Sequence, residues 1–380
     1  MAEQALPQTL GQLLRQLDAE GITGYHRYQA VRRYLDAKAR KKGVPLNGTF
    51  ELTPLCNLDC KMCYVHLNKE QMKGASLLSV EQWKSIIDQA IGGGMMYARL
   101  TGGECLTYPG FREIYLHLRS RGIETAILSN GVLMDEDMVA FLKENKPAAI
   151  QITLYGASEE SYERVTGHRR FATVMENIHR IQDAGIPLSV VTTPNEFMTD
   201  GEEIVKLLHD LGMPMIINAG LMTPRKETGR VLHNSNLDTY IAMIKLRRKL
   251  LGSELEDILD PEELPDVGGN DGAAFGVRCG AGMSGFAVDW RGCMKPCNCF
   301  PATAENVLKL GFADAWRRTH NTAAHYPRPV ECEGCKYHDV CKHCVAEHAA
   351  GAPCGHANPN ICAWGQRMVA DGLRKLSISM

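Results

Sequence analysis

At 380 residues the chain is long enough to bury a sizeable core, in two or three domains or around one large barrel. Its 42 Lys and Arg against 44 Asp and Glu leave a formal net charge of −2, so no broad field draws it to nucleic acid or to an anionic membrane. No apolar run spans a bilayer and no basic stretch precedes an apolar one at the N-terminus, so a cytoplasmic location without membrane partners is expected.

Residues 1–45 read as a helical segment, with Leu10, Leu13, Leu14 and Leu17 on one apolar stripe and Tyr25, Tyr28, Val31, Tyr34 and Leu35 on a second. From Gly48 to about Asn218 the pattern alternates. β-rich runs fall at Thr49–Thr53, Tyr97–Thr101, Glu124–Ser129, Ala149–Leu154, Pro187–Thr193 and Met215–Asn218. Amphipathic stretches lie between them at Val80–Ile91, Phe111–Arg121, Glu136–Lys143, Thr173–Ala184 and Glu202–Leu211, with Gly122, Gly185 and Gly212 near helix ends as C-caps. This alternation predicts parallel βα units, too few for a closed eight-fold barrel. The expected fold class is α/β, a partial (β/α)6 barrel over residues 46–235 with its mouth at the strand C-termini. Residues 236–278 are expected to form a linker, a helix over Asn236–Gly252 and then a loop over Pro261–Gly272 rich in Gly, Pro and Asp. A cysteine-dense domain with a C-terminal helix is expected over 279–380, where burial alone cannot hold the chain together.

The 14 cysteines are clustered: three lie at 56–63, Cys105 stands alone, and ten fall between Cys279 and Cys362. In a reducing compartment such clusters bind metal or carry redox chemistry rather than pair as disulfides. Cys56, Cys60 and Cys63 form a C-x3-C-x2-C run followed by Tyr64, on a loop after the first strand. A [4Fe–4S] cube takes four ligands, so this trio would leave one iron open. With His66 as fourth ligand the same run would also suit zinc.

Three further motifs close successive strands: Thr101-Gly102-Gly103-Glu104, Ser129-Asn130-Gly131, and Thr153-Leu154-Tyr155-Gly156 followed by Ser158, Ser161, Tyr162 and Arg164. Together with the cysteine run they resemble radical S-adenosylmethionine (SAM) enzymes over roughly residues 48–218. The resemblance implies an oxidoreductase-type enzyme. Its cluster and SAM would yield a 5′-deoxyadenosyl radical that abstracts hydrogen from a C–H bond, the protein supplying position and seclusion. It also implies that Gly102 and Gly103 bring the backbone close to the SAM amine, that Glu104 pairs with its ammonium, and that Tyr64 packs near the adenine. Ser129 or Asn130 would meet the ribose hydroxyls, and Arg164 the carboxylate. The family usually has Pro after Gly-Gly-Glu; Cys105 stands there in this chain.

Farther on, Gly285–Gly292 reads as a strand and turn, a hairpin delivering Cys293 and Cys297. Cys279, Gly292-x4-Cys297, Cys332-x2-Cys335-x5-Cys341-x2-Cys344 and Cys362 resemble the SPASM extension of radical SAM barrels, with x2 in place of the usual x3 in the last pair. That resemblance implies two auxiliary [4Fe–4S] clusters, three in all. The first would use Cys279, Cys297 and Cys344, with Cys293, Cys299 or substrate as fourth ligand. The second would use Cys332, Cys335, Cys341 and Cys362. Two C-x2-C pairs suit zinc as readily, and His338, His343 and His348 are rival ligands. Cys105 and Cys354 are unassigned thiols that can return a hydrogen atom.

The resemblance points to ribosomal-peptide maturation: a peptide substrate with a leader, modified by a thioether or carbon–carbon cross-link or by oxidation. The auxiliary clusters would accept the second electron or bind substrate, and flavodoxin or ferredoxin would be the reductant. A small-molecule radical dehydrogenase or epimerase, a sulfatase-maturating enzyme and a zinc-stabilised interaction protein are the alternatives.

Overall fold

The computed structural model describes residues 9–233, 235–252, 277, 279–302, 304–341 and 344–376. The 261–272 loop and His343 lie outside the described residues. Six parallel strands form the barrel wall: β1 (Asn47–Glu51), β2 (Tyr97–Thr101), β3 (Glu124–Ser129), β4 (Ala149–Thr153), β5 (Leu188–Thr192) and β6 (Met215–Ile217). Three more complete the sheet: β7 (Gly285–Val288), β8 (Cys293–Lys295) and β9 (Glu305–Asn306). The strand order is β6-β5-β4-β3-β2-β1-β7-β8-β9, so the sheet curves without closing.

Side chains alternate between the two faces of each strand. Phe50, Leu100, Ile127 and Ile150 are fully buried against the surrounding helices. Trp83 of the Val80–Gly92 helix meets the Phe50 ring edge-on at 6.0 Å, and Ile114 and Leu118 of the Phe111–Ser120 helix fill the same layer. Each such large side chain contributes about 1.5–3 kcal/mol by leaving water. The opposite residues, Thr49, Arg99, Ala126 and Gln151, face the barrel interior and none is buried.

β1 begins and ends two residues earlier than the sequence pattern predicts. The carbonyls of Thr53 and Leu55 have left the ladder and accept instead from Gly103 N–H at 2.8 Å and Glu104 N–H at 2.9 Å. The hairpin after Gly285 is present, but its first strand does more than expected. β7 pairs in parallel with β1, Asn47 opposite Gly285, and so extends the barrel sheet itself. Phe286 anchors it, with Phe50 at 5.9 Å and Phe312 at 5.0 Å. A parallel partner more than two hundred residues away leaves no local mark in the sequence.

The N-terminal segment forms helices Leu10–Ala19 and Gly24–Lys42, the second stopped by Gly43 at φ +63°. That second helix lies across the strand N-termini. Asp36 Oδ1 accepts from Asn47 Nδ2 at 2.9 Å and Ser284 Oγ at 2.8 Å, and the Arg32 guanidinium sits 4.3 Å above the Tyr97 ring. It floors the barrel at the end opposite the mouth. Among the described residues no helix is long and apolar enough to cross a membrane.

Candidate active site at the barrel mouth

The first cysteine loop follows β1 and is held from below by its own amides. Leu58 N–H donates to Cys56 Sγ and His66 N–H to Cys63 Sγ, each at 3.4 Å, and Asn130 Nδ2 reaches Cys56 Sγ at 3.6 Å. Burial, then the neighbouring Cys63 and Cys56, push the Cys60 thiol far up, and burial pushes Cys56 up to about 12. Three thiols thus share one neighbourhood with N–H groups aimed at two of the sulfurs, while burial disfavours the thiolates of Cys56 and Cys60. A cationic iron cluster supplies what converts such thiols to thiolates.

Among the described residues no three His, Cys, Asp or Glu side chains converge tightly enough to hold one metal ion. A cube, whose corners are separate irons, does not ask one point to meet every sulfur. His66, the rival zinc ligand, has its Nδ1 at 3.3 Å from both Asp59 Oδ1 and Arg230 Nη2. Two buried polar atoms beside the trio, Asn57 Nδ2 and Tyr162 Oη, have no partner among the described residues. Such orphans fit a site built to receive a polar ligand.

Glu104 closes the next strand. Its carboxylate is buried and oriented: Oε2 accepts from Asn130 N–H at 2.7 Å and Oε1 from Leu106 N–H at 3.1 Å. Burial raises its pKa against these two bonds. Gly102 and Gly103 are required first by their own chain. A Cβ on Gly102 would stand 2.4 Å from the Thr53 carbonyl oxygen, and one on Gly103 2.4 Å from that of Leu55. We therefore expect Gly103→Ala to lose about 1–3 kcal/mol, as overpacking does, read as a lower thermal midpoint than that of Gly92→Ala, where no atom lies within 4 Å of the added Cβ and the backbone is not left-handed.

Ser129 Oγ accepts from Gly131 N–H at 3.0 Å, and Asn130 Nδ2 bonds Asn57 Oδ1 at 2.7 Å, which ties the third strand to the cysteine loop. Arg164, on the Glu159–Thr166 helix, is exposed and donates to Thr199 Oγ1. Cys105 is fully buried, with its thiol toward the Leu128 carbonyl at 3.4 Å, while Cys354 is exposed beside Tyr326.

The C-terminal cysteines form two groups. Cys297 is raised by burial and then by Cys299, Cys279 and Cys344, so these four are neighbours. Cys293 is surrounded by Asp289, Asn306, Arg291 and Lys295 instead. Cys332 feels Cys362 and Cys335, and Cys341 lies against the Pro359–Ala370 helix that carries Cys362, its thiol 3.7 Å from the Ile361 carbonyl. His338 is paired with Asp339 and Arg328, and His348 Nδ1 accepts from Asn358 N–H.

Two arginines from the irregular 218–236 stretch carry contacts the sequence did not announce. Arg230 bonds the Cys60 carbonyl and Asp59. Arg225 makes a two-pronged bond to Glu51, both contacts 2.6 Å, with Glu51 buried at the end of β1. The same residue donates its backbone N–H to the Tyr64 carbonyl and a guanidinium N–H to the Asn298 carbonyl. The Tyr64 hydroxyl meets Cys299, which with burial pushes its pKa far up. One signal was available for Glu51: a lone carboxylate inside an apolar strand, on the inward face.

Residues 50–194 match the radical SAM superfamily. Over 338 residues the chain is 25% identical to the antilisterial bacteriocin subtilosin biosynthesis protein AlbA of Bacillus subtilis (strain 168), covering 85% of this chain and 72% of that protein. It is 24% identical to the AdoMet-dependent heme synthase of Nitratidesulfovibrio vulgaris, over 78% of this chain and 86% of that one. Its fold matches Streptococcus suis SuiB bound to S-adenosylmethionine with a TM-score of 0.65 at 15% identity, over 93% of this chain and 87% of the other. The chain carries a radical SAM domain, uses a [4Fe–4S] cluster and S-adenosylmethionine, and is an enzyme of the radical SAM type.

Proposed function

We propose that the chain modifies a peptide, and that Cys56, Cys60 and Cys63 hold the cluster that binds SAM. When bound, cluster and SAM together supply a 5′-deoxyadenosyl radical for hydrogen abstraction. The observation that carries the site is the trio of neighbouring thiols, two of them accepting backbone N–H bonds, beside a carboxylate already fixed by Asn130 N–H. In this reading Glu104 receives the ammonium of SAM, and the Gly102–Gly103 backbone lies along it. Asn130 orients both Glu104 and the cysteine loop, with Ser129 bracing the turn behind it. Arg164 meets a carboxylate at the rim. Tyr64 bridges from the SAM site to Cys299.

Cys279, Cys297, Cys299 and Cys344 would hold one auxiliary cluster, with Cys299 favoured over Cys293 because it lies in the electrostatic surroundings of Cys297. Cys332, Cys335, Cys341 and Cys362 would hold the other. Cys354 on the surface and Cys105 in the core take no cluster.

The peptide reading rests on the similarity to a bacteriocin biosynthesis protein across most of both chains. The similarity to a heme synthase favours a small-molecule substrate as the second reading. Protein purified without oxygen should hold about twelve irons, as three cubes require. With SAM and a flavodoxin or ferredoxin reductant it is expected to convert a short precursor peptide encoded beside its gene to a product lacking two hydrogens, with 5′-deoxyadenosine formed alongside. An unchanged peptide together with consumption of a haem precursor would overturn the peptide reading.

A further inference from the structure

Midway along β2, Arg99 projects into the barrel. Its strand neighbours Ala98 and Leu100 point the other way and are buried among the helices. The paired registers run Thr49↔Ala287, Thr49↔Arg99, Arg99↔Ala126 and Ala126↔Ala149. Arg99 is therefore the one long side chain in a row of five, the other four being alanine or threonine. Such small neighbours leave the guanidinium unobstructed along the row on the inner face.

Arg99 is enclosed by protein on most sides yet remains solvent-exposed, as a side chain in an open lumen is. Burial, and then the charge of Arg32 below it, pull its pKa down; only Asp36 acts in the opposite direction. Asp36 is already committed to Asn47 and Ser284 through Oδ1. Glu124, the other carboxylate at the floor, is bonded to Tyr28 and Arg32. Toward the mouth, Glu51 is held by Arg225. Thr101, Gln151, Thr153 and Ser189 offer no charge. Among the described residues Arg99 has no hydrogen-bond or ion-pair partner. A cation that stands in solvent inside the lumen with no protein counter-ion is free to pair with a ligand that brings the missing charge.

We propose that Arg99 is a binding residue for a carboxylate of the substrate, which enters through the mouth and extends down the lumen to the guanidinium. The carboxylate is an acidic side chain or the C-terminus of the substrate segment. The choice of peptide probes rests on the function proposed above; the site itself does not. Its fork of N–H donors suits two-pronged capture of such a group.

The test uses the holoenzyme and phenylglyoxal, which labels accessible arginines, with mass mapping of each arginine. Four probes are compared: glutarate, N-acetyl-Gln-Glu-Gln-amide, N-acetyl-Gln-Gln-Gln with a free C-terminus, and the neutral N-acetyl-Gln-Gln-Gln-amide. Arg99 should label without a probe. At about ten times its dissociation constant, at least one peptide carboxylate should slow that labelling about tenfold, because only the free site reacts. The neutral peptide should not, and exposed Arg317 should be unaffected. The two acidic peptides tell a side-chain carboxylate from a C-terminal one. In Arg99→Gln the tighter binding of the acidic peptide over the neutral one, read by saturation-transfer NMR, should vanish, and Arg99→Lys should keep part of it. Protection by glutarate but by no peptide would keep the site and sink the peptide reading. Labelling of Arg99 unaffected by all four probes, or an acidic preference that survives in Arg99→Gln, would overturn the proposal.

Discussion

Cys60→Ala is expected to abolish 5′-deoxyadenosine formation, to a level indistinguishable from the reaction without protein. Cys60 is enclosed, with Cys56 and Cys63 as its neighbouring thiols and Tyr155 and Tyr162 beside it. Cys105, the next cysteine along the chain after the trio, is buried with its thiol turned toward the Leu128 carbonyl. A lost sulfur therefore has no substitute, and two remaining thiols cannot hold a cube whose open corner must stay open. The readout is chromatographic detection of 5′-deoxyadenosine after reduction with dithionite. Iron in this variant should fall by about four per chain if the auxiliary groups are intact.

The second large effect falls on stability. Arg225→Met leaves Glu51 buried at the end of β1 without its cation. Breaking a buried pair from one side costs about 3–5 kcal/mol, far more than the intact pair contributes over an apolar substitute. The damage should spread, because Arg225 also holds the Tyr64 carbonyl and the Asn298 carbonyl, and so joins β1, the first cysteine loop and the turn before Cys299. In the native chain burial pushes the Glu51 carboxyl up, against the pull of Arg225. A carboxyl raised in the folded state binds more protons there than when unfolded, between its free value near about 4.3 and its raised one. Stability therefore falls as pH rises through that window. Removing Arg225 extends the window upward, so Arg225→Met should be less destabilised at pH 6 than at pH 8 in denaturant unfolding. An equal loss at both pH values would mean that Glu51 stays ionised in the variant across that range. Glu51→Gln with Arg225→Met should recover part of the loss, since neither buried group is then ionised.

The parts of this molecule that could be read from sequence are those whose partners lie nearby. A C-x3-C-x2-C run and a Gly-Gly-Glu each close one strand, and alternation of strand and helix places both at the same end of a parallel sheet. The grouping of Cys332, Cys335 and Cys362 came from the resemblance to the SPASM extension rather than from spacing alone. What was hidden depends on distant partners. The β1–β7 pairing, the Glu51–Arg225 bond and the choice of Cys299 beside Cys297 are set only once the chain has folded. The two glycines were legible as a motif but not as a necessity. Their closest neighbours are the Thr53, Pro54 and Leu55 carbonyl oxygens, which a Cβ would strike. Arg99 carries no mark in the sequence beyond its place in the Tyr97–Thr101 strand. Its isolation appears only when the registers of four neighbouring strands align small residues around it.

The most direct test is electron paramagnetic resonance of oxygen-free, dithionite-reduced protein, recorded with and without SAM. The account predicts a reduced [4Fe–4S] signal whose g-values move when SAM is added, and the loss of that SAM-sensitive component in Cys60→Ala. A spectrum that SAM leaves unchanged, or protein that holds zinc and no iron, would contradict it.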